Sequence, residues 1–127
     1  MALIGLNPEA TVDFIHSQDA DPENSPTIFK LGTFSAKALK LVNREMVFGK
    51  DGDMQMGGYL LEAVRHGVKG WTGLIDQSGA DVQPVFSGKE PNKILSDESL
   101  ALIGPYALEI GVKVMEVNKL SEEQEKN

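Results

Sequence analysis

Apolar positions change their period several times along the chain, and the clearest change falls in the middle. Met56, Tyr59, Leu60, Ala63 and Val64 recur at i, i+3, i+4, i+7 and i+8, the stripe of an amphipathic helix expected over Met54 to His66. Arg65 and His66 suit the negative end of such a helix, and Gly67 stands where a left-handed C-cap is wanted. Lys69 to Ile75 then reads as an extended run carrying the single Trp, Trp71. Asp76-Gln77-Ser78-Gly79 has Asp first and Gly fourth, the composition of a tight turn. Val82, Pro84 and Phe86 share one side of a return strand, with Pro84 marking an edge. The unit predicted is a helix followed by a Trp-bearing hairpin, with Trp71 and Phe86 anchoring the hairpin to the helix.

Upstream, Val12, Phe14 and His16 alternate with Thr11, Asp13 and Ile15, a strand pattern that recurs over Thr27 to Phe34. The two pair as a hairpin across residues 17–26, a loop with two prolines, three acids and no large apolar side chain. With nothing to bury, that loop is expected to be mobile. Ser35 or Thr33 caps a helix reaching about Phe48, with Ala38, Leu41, Val42 and Met46 inward. Downstream, residues 87–92 form a loop. Ser96 then caps a short helix, with Asp97 and Glu98 in its first turn and Leu95 stapled to Leu100. Pro105 opens a last helix to Leu120, although the β-branched run Ile110 to Val114 also fits a strand.

That last segment is apolar nearly all round, broken by Glu109, Lys113 and Glu116. It is therefore expected to be deeply buried or to meet another chain, through Tyr106, Ile110 and Val114 or through Leu108, Val112 and Met115. Residues 121–127 are a charged tail, so residues 1–120 form one domain.

Composition narrows the function classes. The 127 residues carry 19 acidic and 12 basic side chains, a net charge of −7, and no cysteine. Clustered cations for phosphate contacts are missing, so nucleic acid is not an expected partner. Disulfides and thiolate chemistry are excluded. No run approaches the length of a membrane span, and the opening MALIGLNPEA lacks the positive flank of a signal peptide. Asp51, Asp53 and Glu62 imitate a calcium loop, but Gln55 and Met56 stand where a ligand and a turn glycine belong. His16 and His66 have no cysteine or paired histidine beside them, so no metal site is expected. No nucleophile motif accompanies Ser78 or Ser87, and the glycine pairs are too short for a phosphate cradle. No cofactor and no catalysis are expected.

The series His66-Gly67, Gly70-Trp71, Asp76, Gly79, Pro84 and Phe86 resembles a pattern in small proteins of tailed-phage tail modules, the tail assembly chaperones and their relatives. The resemblance spans roughly Phe29 to Leu120 and consists of structural positions only. It implies a non-catalytic factor in the host cytoplasm that binds phage tail proteins, the tail tube or the tape measure, and also self-associates. The alternatives are a structural virion component of the neck, tail or capsid surface, and a host-directed inhibitor. The fold expected is α+β: an N-terminal β-pair, about four helices and the Trp-bearing hairpin in one domain.

Overall fold

The computed structural model describes residues 5–7, 9–49, 56–89 and 92–118, without the side chains of residues 45–49, 56 and 57. The start of the central helix at Met54, the Met46 side chain, the linker residues 50–53, Pro91 and everything from Lys119 onward lie outside this description. Chain order is β1 (Thr11–Phe14), β2 (Ile28–Gly32), α1 (Ala36–Gly49), α2 (Met56–Gly67), β3 (Val68–Thr72), β4 (Phe86–Ser87), β5 (Ile94–Leu95), α3 (Asp97–Leu102), a 3-10 turn (Gly104–Tyr106) and α4 (Ala107–Val117). The protein is a mixed α+β domain.

Alternation in β2 places Phe29 and Leu31 in the core while Ile28 and Lys30 stay half-buried. β2 is the centre of an antiparallel sheet of order β1-β2-β3. The expected N-terminal pair forms with Val12 opposite Leu31 and Phe14 opposite Phe29. α2 packs against both α1 and α4, and α4 also meets β2. The core is continuous across these elements, from Phe29 and Leu31 through Val64, Val68 and Trp71 to Ile110, Val114 and Met115.

Capping signals place the helix starts. The Ser35 hydroxyl accepts from Ala38 N–H at 3.1 Å, opening α1. Ser96 does the same for Ser99 N–H at 3.2 Å, opening α3. The β-branched run 110–114 is helical, because its Ile110 and Val114 are wanted on one buried face rather than on alternate sides of a strand. Pro105 opens the 3-10 turn, and α4 itself begins two residues later.

Two local expectations are corrected. Gly67 is the last residue of α2 and is not among the glycines with positive φ, so it is no left-handed cap. The chain runs straight from it into Val68 and β3. A side chain at Gly67 would strike Val114 Cγ1, so the glycine serves the contact between α2 and α4. The hairpin pairing also differs. Trp71 lies opposite Phe29 in β3, whereas Phe86 lies opposite Leu95. Strand pairing between the two arms of the turn is limited, among the described residues, to an isolated bridge, Ile75 to Asp81. β3 hydrogen-bonds to β2 instead, where Phe29 gives Trp71 an aromatic neighbour across the pair (centroids 6.0 Å apart, rings at 76°).

Candidate functional site

The turn that follows β3 forms as its composition predicts. Asp76 Oδ1 accepts from Ser78 Oγ at 2.6 Å, Ser78 N–H at 2.8 Å and Ala80 N–H at 3.0 Å. The Ser78 hydroxyl, with the N–H groups of Ala80 and Ser78, holds the Asp76 carboxyl below the ordinary carboxylate range. Gly79 takes φ of +88°, which an L side chain rarely adopts. The Trp71 indole N–H donates to Val82 O at 2.8 Å, tying the far arm of the turn to the core. Pro84 and Phe86 are half-buried, alternating with exposed Gln83 and Val85. The series is thus a scaffold: His66, Gly67 and Trp71 are buried, Asp76 and Gly79 shape a turn, and Gly70 pairs with Lys30 in the sheet.

The C-terminal segment separates into two faces. Ile110, Val114 and Met115 are buried in the core and unavailable to another chain, which removes them from the expected partner surface. Tyr106 is half-buried against the core, with the His16 ring 5.0 Å away edge-on. Leu108 and Val112 remain outside, 56% and 49% exposed. Four residues apart on one helix, they form a short apolar ridge. Neither of the two proposed sets survives whole: Tyr106, Ile110 and Val114 lie inward, and Met115 leaves Leu108 and Val112.

Loop 17–26 is fastened to the domain at its first residues. Ser17 donates to Glu109 of α4 twice, from Oγ at 2.6 Å and from N–H at 2.8 Å. These bonds, the hydroxyl's first, hold the Glu109 carboxyl below its ordinary range, with His16 adding to the effect. Asp19 accepts from Asp21 N–H and Thr27 N–H at 2.9 and 2.8 Å, closing the loop base. Sequence patterning could not show this anchor, since Ser17 and Glu109 stand 92 positions apart. Under the loop lies an open cleft of about 410 Å³, walled by Asp19 and Asp21 and floored by Phe29, Leu74 and Tyr106.

A second cleft of about 290 Å³ lies between α1, α2 and the approach to β5, lined by Lys37, Leu41, Glu62, Arg65, His66, Asn92 and Ile94. His66 is 8% exposed, and its Nε2 lies 3.2 Å from Glu62 Oε2, one helical turn back. Burial lowers the His66 pKa below 6.5 against the opposing pull of Glu62, with Arg65 and Lys69 adding to the decrease. Among the described residues no three His, Cys, Asp or Glu side chains converge as a metal site. No helix there is long and apolar enough to cross a membrane.

The chain matches no protein-family model, no curated protein and no solved structure.

Proposed function

We propose that this protein is a non-catalytic, phage-encoded assembly factor that binds tail proteins in the host cytoplasm and associates with itself, in the manner of a tail assembly chaperone. The observation that carries the binding role is the ridge Leu108–Val112, left in solvent on a helix whose other apolar residues are mostly buried. Apolar surface held on a packed helix favours capture of an apolar segment from another chain, here a tail-tube or tape-measure subunit. The tail module itself rests on the resemblance carried by the series from His66 to Phe86.

Val112→Glu and Leu108→Glu test the reading. Both positions are exposed, so each variant stays folded, with a stability change within about 0.5 kcal/mol. Each should lose self-association in sedimentation and capture of co-expressed tail-tube or tape-measure protein. Retention of both properties by both variants rules the ridge out. Mass spectrometry of purified particles separates the roles: an assembly factor is absent, and a stoichiometric presence makes the protein a virion component instead.

A further inference from the structure

His16 joins the end of β1 to loop 17–26, and its ring is engaged on every side. The imidazole stands edge-on to Phe14 of β1 and to Tyr106 of the 3-10 turn, with centroids 6.4 and 5.0 Å away. Its side chain is only 10% exposed. Gln18 N–H donates to Nδ1 at 3.0 Å. A ring nitrogen that accepts carries no hydrogen, so the neutral ring has its proton on Nε2. Nε2 lies 3.5 Å from Glu109 Oε1 on α4. The same oxygen accepts the Ser17 hydroxyl at 2.6 Å, while Oε2 accepts the Ser17 N–H at 2.8 Å. One imidazole and one carboxylate thus hold the first two residues of the loop, and these two groups also face each other. The far end of the loop is fastened separately, where Asp19 accepts from Thr27 N–H at 2.8 Å.

We propose that His16 is a pH-operated clasp on loop 17–26, closed while the imidazole is neutral and opened when it is protonated. A proton added to Nδ1 removes the acceptor of Gln18 N–H and sets two N–H groups against each other. The imidazolium then attracts Glu109 Oε1 across the 3.5 Å gap and competes with the Ser17 hydroxyl for it. One proton therefore loosens two bonds of the loop. Histidine is the side chain whose charge ordinarily changes between pH 5 and 8, so the clasp works in a physiological range. Facing the ring are Glu109 from α4 and Tyr106 from the 3-10 turn, while β1 presents the uncharged Phe14. Glu109 is held below its ordinary range by Ser17 and stays ionised as the imidazole titrates. What the clasp controls is one wall of the cleft of about 410 Å³, where Gln18 and Asp19 stand beside Phe29, Leu74 and Tyr106. With the Asp19–Thr27 bond as hinge, release of Ser17 and Gln18 lifts that wall from an apolar floor.

The experiment is amide hydrogen exchange of the intact protein by NMR between about pH 8 and about pH 5, with rates corrected for the intrinsic pH dependence of exchange. The ring resonances of His16 are followed over the same range. Protection at Gln18 should fall about tenfold, the worth of one hydrogen bond, with the midpoint of the His16 ring titration. Thr27 N–H, held by Asp19 rather than by the clasp, should keep its protection. His16→Asn sets a carbonyl oxygen near the place of Nδ1 and takes up no proton, so Gln18 protection in this variant should not vary with pH. Gln18 protection that stays level while the wild-type ring titrates overturns the clasp. So does a pH dependence retained in His16→Asn, which assigns the opening to the carboxylates of Glu109 and Asp19. A parallel loss at Thr27 also overturns it, because the whole loop base is then loosening in acid. None of these outcomes depends on whether tail proteins are captured.

Discussion

Replacing Gly67 by Ala asks what the glycine at the α2–β3 junction is for. A Cβ at that position would strike Val114 Cγ1 and lie 3.0 Å from Cγ2 and 3.1 Å from Cβ of the same residue. Val114 is fully buried on α4, so its methyls have little room to yield. Overpacking of this kind costs about 1 to 3 kcal/mol. Ala regains roughly 0.5 to 1 kcal/mol of helix propensity, because Gly67 is helical and its φ is not positive. The net expectation is a loss of about 1 to 2 kcal/mol, several degrees in Tm for a domain of this size. Val114→Ala alone should cost about 2 to 3 kcal/mol through lost burial and the cavity left behind. Combined, the new methyl occupies space that the valine vacated. The double variant should therefore be no less stable than Val114→Ala, a coupling of about 1 to 2 kcal/mol. Urea unfolding of the four proteins measures the cycle. Were Gly67 needed for a left-handed cap, the alanine would be strained whatever stands at 114. The two changes would then add to within about 0.5 kcal/mol, a result that refutes the steric account.

Further outcomes follow from single side chains. Trp71→Ala should lose about 3 to 5 kcal/mol in denaturant unfolding, the range for emptying a buried aromatic site. An unchanged midpoint would place the indole on the surface. Asn118, 7% exposed, accepts from Phe34 N–H at 2.8 Å and donates to Gly32 O at 3.1 Å and Val114 O at 3.0 Å. Asn118→Leu strands these backbone groups and should cost about 2 to 4 kcal/mol, more than Leu at an exposed position; chemical denaturation that finds it neutral removes Asn118 as the link between β2 and α4. His66, with its folded pKa depressed by burial, takes up a proton more readily when unfolded. Its contribution is complete above pH 6.5, the value in the unfolded chain, and is lost as pH falls through the folded pKa. His66→Gln should flatten that part of a stability–pH profile, above the region where Asp76 and Glu109 titrate. A wild-type profile already flat there would contradict the burial argument.

Much of the fold was legible because its signals are local. Ser96 precedes two acids and an apolar run, and it caps α3 as those neighbours imply. Asp76 and Gly79 hold a turn by bonds that span at most four residues. The alternation of Phe29 and Leu31 declares their inward side without reference to the rest of the chain. Phe86 was misread for the complementary reason. Its alternation with Val82 and Pro84 does give its half-buried side, but alternation cannot name a strand's partner. β2 offers a four-residue antiparallel match to β3, from Ile28 opposite Thr72 to Leu31 opposite Val68. Phe86 is left to Leu95 instead.

The C-terminal helix shows where periodicity stops informing function. Its apolar residues surround the axis too fully for a single stripe to be picked out, so two opposite ridges were equally consistent with the sequence. What decides between them is Gly111. A Cβ there would lie 2.8 Å from Leu60 O, so the glycine lets α2 approach α4 backbone to backbone. That approach fixes the rotation of α4: Ile110, Val114 and Met115 turn inward, while Leu108 and Val112 turn out. On the other side, Glu109 is engaged by Ser17, which adds a polar constraint on the same rotation. The candidate binding ridge is therefore a consequence of two contacts distant in sequence, Leu60 with Gly111 and Ser17 with Glu109. Any change that reopens either contact should alter the presentation of Leu108 and Val112 before it alters the helix itself.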